Sequence, residues 1–108
     1  MINIVHLDIY YSDQREITAI EMKLKSFDDE KGGKALSGHP LNATVSAAFF
    51  STTLLDDAGT NFRLTPDPER GHVIDLKVNF FKKDLTLTDV NRFIEAFQNA
   101  LDNTSLGF

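Results

Sequence analysis

At 108 residues, with 42% hydrophobic side chains, the chain has the size and apolar content of one folded domain and is too apolar for disorder. The absence of Cys excludes disulfides, thiolate nucleophiles and Cys-ligated zinc or iron–sulfur centres. Sixteen acids against eleven bases give a net charge of −5, and the Lys residues are scattered or paired (Lys31/Lys34, Lys82/Lys83), which speaks against nucleic acid as a partner.

Residues 4–11 read Ile-Val-His-Leu-Asp-Ile-Tyr-Tyr. Val5, Leu7, Ile9 and Tyr11 alternate with His6, Asp8 and Tyr10, the period of a half-buried strand. Met1 runs straight into this strand with no charged or apolar leader, so a soluble, cytoplasmic protein is expected. After the polar turn Ser12–Arg15, alternation returns from Ile17 to Phe27, with Ile20, Met22 and Leu24 opposite Glu21, Lys23 and Lys25. The two runs predict an antiparallel hairpin. Asp28–Lys34 is charged and then glycine-rich. With Ser37-Gly38-His39-Pro40 it predicts the longest loop.

Asn42 to Gly59 reads two ways. Leu41, Val45, Ala48, Thr52 and Leu55 fall at helical spacing, Pro40 suits a first turn, and Gly59 suits the position after the end. Val45, Phe49, Phe50, Thr52 and Thr53 instead favour a strand. Spacing decides for a helix. The wider stretch Ala35–Leu55 is uncharged but holds Ser37, His39, Asn42, Thr44 and Ser46, too polar for a bilayer core.

Asn61–Thr65 and His72–Lys82 flank Pro66-Asp67-Pro68-Glu69-Arg70-Gly71, which predicts strands joined by a turn. In the second strand Ile74, Leu76, Val78 and Phe80 share one face, opposite Asp75, Lys77 and Asn79. The last helix, from about Thr86 to Asn103, is the best marked. Thr86 and Asp89 fit a capping box, and Leu85 with Val90 fits a hydrophobic staple. Val90, Phe93, Ile94, Phe97 and Leu101 line one stripe, with Asn91, Arg92, Glu95, Gln98 and Asp102 expected in water.

The order is β-β-α-β-β-α over a single domain, residues 1–108. It predicts an α+β fold, a four-stranded antiparallel sheet with two helices packed on one face. The two hairpin-plus-helix halves share a topology, with no side chains aligned between them. The hairpin and capped helix from Phe62 to Leu101 resemble the tail of acyl-transferring condensation domains. That family's His-His-x-x-x-Asp motif is absent, so the resemblance implies no activity.

Chemical signatures fail one by one. Gly32-Gly33-Lys34 lacks the earlier glycine and following Ser or Thr of a phosphate loop, where Asp28 and Ala35 stand. Asp28-Asp29-Glu30 places its acids side by side, not at the alternate positions of a calcium loop. His6, His39 and His72 have no zinc spacing, and no Ser sits in a Gly-x-Ser-x-Gly elbow. No metal or cofactor is expected. A small enzyme or ligand-binding domain would have to use His39, or His72 with Asp67, Glu69 and Asp75.

The favoured reading is a non-enzymatic binding or regulatory protein: an inhibitor, an immunity-type protein or an assembly chaperone. Adjacent aromatics on a strand point to opposite faces, which sends Tyr10 and Phe81 outward. In the uncharged segment Phe49 joins the buried stripe and Phe50 does not. Tyr10, Phe50 and Phe81 are therefore the expected contact residues for a protein partner, most simply a second copy of the chain. An acidic surface mostly serves solubility, with a basic partner as the lesser reading.

Overall fold

The computed structural model describes residues 1–29, 32–52 and 60–105. Strands β1 (Ile2–Tyr11), β2 (Ile17–Ser26), β3 (Thr60–Pro66) and β4 (Val73–Phe80) combine with helices α1 (Gly38–Ser51) and α2 (Leu87–Ser105) in the predicted β-β-α-β-β-α order. One antiparallel sheet runs β1-β2-β4-β3, which makes β1 and β3 its edges. Strand alternation gives the sheet one apolar face. Its Ile20, Met22, Leu24, Ile74, Leu76, Val78 and Phe80 form a single core with Leu41, Val45, Ala48 and Phe49 of α1 and Val90, Phe93, Phe97 and Leu101 of α2. Both helices therefore cover the same face, the layering an α+β sheet needs to bury its apolar side.

Strict alternation fails in β1. Pairing slips between Ile4 and His6, leaving Val5 as an extra residue, and slips again at Tyr10/Tyr11. Each slip resets parity. Ile2, Ile4, Leu7 and Ile9 turn to the core, while Val5 and Tyr11, expected inward, are exposed.

Helix α1 begins at Gly38 and not at Asn42, and ends at Ser51 with Thr52 as C-cap. His39, expected in a loop, thus joins its first turn with Pro40, which the sequence allowed in either place and whose missing N–H costs nothing there. Gly38 has φ +56°, a conformation that favours glycine, and donates its N–H to the Gly71 carbonyl at 3.1 Å, tying the helix start to the β3–β4 turn. The part of the expected helix from Thr53 to Gly59 lies outside the described residues.

The capping box of α2 is formed. Asp89 N–H donates to Thr86 Oγ1 at 3.1 Å, and Thr86 N–H donates to Asp89 Oδ2 at 3.0 Å. Leu85 and Val90 are both buried beside it. Gln98, expected in water, instead donates to the Ile2 carbonyl at 3.1 Å and accepts from the Ile4 N–H at 3.4 Å. Its amide thus occupies backbone groups on the open edge of β1, just before the bulge, two devices that blunt an edge strand.

The register across the sheet centre supplies an alignment that the bare sequence hides. Met22 faces Leu76 in an antiparallel pair. The local two-fold through that pair carries Ile20-Glu21-Met22-Lys23-Leu24 onto Ile74-Asp75-Leu76-Lys77-Val78. The halves are a quasi-repeat at these central strands. Each helix also leans on the edge strand of the opposite half, α2 on β1 and α1 on β3.

Candidate functional site

Helix α1 is apolar on two sides. Leu41, Thr44, Val45, Ala48 and Phe49 are buried against the sheet and α2. Pro40, Ala43, Ala47 and Phe50 are exposed. Their spacing of three, four and three residues puts them on one outward line. No charged residue occurs anywhere in this helix. At its end Phe50 is 72% exposed, and its ring meets that of Phe62 edge-on at 5.3 Å. Phe62, on edge strand β3, is half-buried and packs on Phe49 at 4.2 Å between ring centroids. The corner formed by Phe49, Phe50 and Phe62 runs continuously from solvent into the core, since Phe49 also touches Phe93 and Phe97.

The three expected contact residues do not form one patch. Tyr10 lies on the face of the sheet opposite the helices, while Phe50 is in the helix layer. Phe81, 63% exposed, follows the last residue of β4. Among the described residues no ring contact joins any two of them. Sequence reasoning identified Phe50 but missed the line that leads to it. Its signal was the spacing of Pro40, Ala43 and Ala47, small residues easily counted as core filler.

Tyr10 is held in place. Its hydroxyl donates to Glu21 Oε1 at 3.2 Å, and Lys77 Nζ lies 5.1 Å from the ring centroid. Hydrogen bonding to the Glu21 carboxylate, reinforced by its charge, raises the phenol's pKa above its ordinary value. Around Tyr10 this face is polar: Asp8, Glu21, Lys23, Lys25, Asp75, Lys77, Asn79, Asn61 and Arg63. Ala19 and Val73 are buried but lie outside the main core cluster.

Asp67, Asp75 and His39 of the acid–base alternative sit in separate surroundings. Asp67 accepts from the backbone N–H groups of Glu69 and Arg70 at 2.9 and 3.0 Å and pairs with the Arg70 guanidinium at 3.1 Å. It caps the β3–β4 turn, and the Glu69 N–H is the main cause of its lowered pKa. Asp75 projects from β4 onto the helix-free face. His39 is exposed in the first turn of α1, and His6 pairs with Asp8 at 3.0 Å in the open. Among the described residues no three His, Asp or Glu side chains converge where they could hold a metal ion. An open groove of about 560 Å³ lies between the end of α1 and α2, lined by Ser51, Ala96, Asn99, Ala100, Asn103 and Thr104. None of these residues can act as an acid or a base at neutral pH. Asp28 and Asp29 accept backbone N–H groups from Ala35 and Gly33, both at 2.6 Å, so they organise their own loop. No helix among the described residues is long and apolar enough to cross a membrane. No protein-family model, curated protein or solved structure matches the chain.

Proposed function

We propose that the protein is a small binding or regulatory protein that docks another protein onto the outer face of α1. The observation that carries this reading is the charge-free outer line Pro40–Ala43–Ala47–Phe50, ending on a ring that is 72% exposed. An exposed helix normally carries charge toward solvent, and this one pays no charge-desolvation cost when covered. Ala43 and Ala47 let a partner's backbone approach closely. Phe50 and Phe62 then act as the aromatic anchor, the residue type that dominates binding energy at interfaces. The chain's excess of acids speeds encounter with a basic partner without specifying the contact.

Phe50→Asp tests this directly. The substitution puts a charge into the dry centre of the contact, and about 2 kcal/mol of binding, roughly thirtyfold in affinity, should be lost. Tagged wild type and variant are used to capture partners from source cells, with circular dichroism and melting run alongside. A partner held by the wild type and released by an equally folded variant supports the reading. Identical capture by the two proteins refutes it.

A further inference from the structure

A second surface, independent of α1, carries a more specific inference. On the helix-free face the register sets the outward side chains in rows across β1, β2, β4 and β3. One row is His6, Lys23, Asp75, Thr65, the next Asp8, Glu21, Lys77, Arg63, and the third Tyr10, Ala19, Asn79, Asn61. The charged positions of the first two rows are antisymmetric about the line between β2 and β4. Where one side has an acid the other has a base: Asp8 with Arg63, Glu21 with Lys77, Asp75 with Lys23.

For the central strands the pattern has an internal explanation. Glu21 stands opposite Lys77, and Lys23 opposite Asp75, as cross-strand neighbours of opposite charge. The outer positions have no cross-strand neighbour of opposite charge. Asp8 stands directly opposite Glu21, and Arg63 directly opposite Lys77. Like charges placed across a strand pair destabilise the sheet. Asp8 has His6 as its ion-pair partner, and Arg63 has no ion pair among the described residues. Among the described residues of one chain Arg63 thus has no compensating ion pair, and Asp8 has only the exposed His6.

A second copy turns the cost into a gain. We propose that the helix-free face is the contact between two copies of this chain, related by a two-fold axis parallel to the strands between β2 and β4. Rotation about that axis keeps each row at its own height and exchanges its two ends. Asp8 then faces Arg63 of the other copy, Glu21 faces Lys77, and Lys23 faces Asp75, each twice. Tyr10 faces Asn61. The face carries Lys23, Lys25, Lys77 and Arg63 against Asp8, Glu21 and Asp75, so it is close to neutral in a chain of net charge −5. Two acidic copies therefore meet there with little net repulsion. The assembly is a four-layer sandwich, helices outside and sheets inside, which leaves both α1 faces free.

The sheet face spans roughly 20 × 20 Å at ordinary strand spacing, so both copies together bury under about 1,200 Å². An interface of that size, held by partly solvated ion pairs, is weak and salt-sensitive. Sedimentation of the full chain at about 0.5 mM should show dimers at low ionic strength that dissociate as salt rises from about 0.05 to 0.5 M.

The deciding variants are Asp8→Lys and Arg63→Glu. Each removes a like-charge neighbour within its own chain, so its melting temperature should hold or rise. Each alone should sediment as a monomer, because position 8 or 63 then meets its own sign across the two-fold. Mixed one to one, they should form a heterodimer, since Lys at 8 faces Glu at 63 and the untouched Arg63 faces Asp8. Recovery of dimer in the mixture, and only there, supports the proposal. A monomeric wild type at low salt, variants that remain dimeric alone, or a mixture that stays monomeric would overturn it.

Discussion

The two helices occupy equivalent places in a quasi-repeated fold, and they are finished differently. Helix α2 closes its start with a reciprocal pair of hydrogen bonds between Thr86 and Asp89, buries Phe93, Phe97 and Leu101 on one side, and keeps polar residues on the other. It also reaches past its own half, through Gln98, to hold the edge of β1. Helix α1 has no acidic residue in its first turn and no side-chain cap from Ser37, and neither helix has a basic residue in its last turn. The buried carbonyl oxygen of Asn42 has no partner among the described residues. Its outer side carries no Asp, Glu, Lys or Arg, and Pro40, Ala43, Ala47 and Phe50 form an apolar line along it. A helix that only had to stabilise the domain would be finished like α2. The difference is what the proposed docking role of α1 leads one to expect.

The comparison can be broken by mutation. Phe97 is fully buried and in ring contact with Phe49 and Phe93. Phe97→Ala should cost about 3–5 kcal/mol in denaturant melts through lost transfer energy and a cavity. Phe50→Asp on the outer line of α1 should stay within about 0.5 kcal/mol of wild type. If the two losses were similar, Phe50 would be core and the division of labour would fail.

The helix starts should differ less, but in the same sense. Thr86→Ala removes a cap hydroxyl that holds the Asp89 N–H and should cost about 1 kcal/mol. Ser37→Ala removes a hydroxyl that makes no cap bond to α1, so equilibrium unfolding should register almost no change.

The smallest effect is in pH. The Thr86 backbone N–H, followed by its hydroxyl, holds the Asp89 carboxyl below its ordinary value of 3.8. A lowered folded-state pKa stabilises the protein above the unfolded value, and the benefit is lost as pH falls through the folded value. Melting temperatures measured between about pH 5 and pH 2 should fall less steeply for Asp89→Asn than for wild type. Asp67, lowered by the turn it caps, remains to give the variant a residual slope.

Most of this fold can be read in the sequence where one local rule acts alone. The α2 cap and stripe, the alternation of β2 and β4 and the turn at Pro66–Gly71 are of that kind. What the sequence concealed depends on pairing between distant residues. The bulge at Val5 and the slip at Tyr10/Tyr11 are invisible until β1 is laid against β2, and they accompany the outward turn of Val5 and Tyr11 respectively. Gln98 reads as a solvent residue because nothing nearby in sequence marks Ile2 and Ile4 as its partners. The likeness of Ile20–Leu24 to Ile74–Val78 needs the central register to bring it out. The candidate surfaces were half legible. Tyr10, Phe50 and Phe81 could be identified as outward-pointing, yet their separation onto different surfaces follows from tertiary packing alone.

The account stands most directly on what covers the outer face of α1. A photo-reactive phenylalanine analogue placed at position 50, and separately at Glu95 on the solvent side of α2, can be activated in source cells. The account predicts one dominant protein adduct from position 50 and none from position 95. The same adducts from both positions, or none from position 50 while the protein is folded and present, would contradict it.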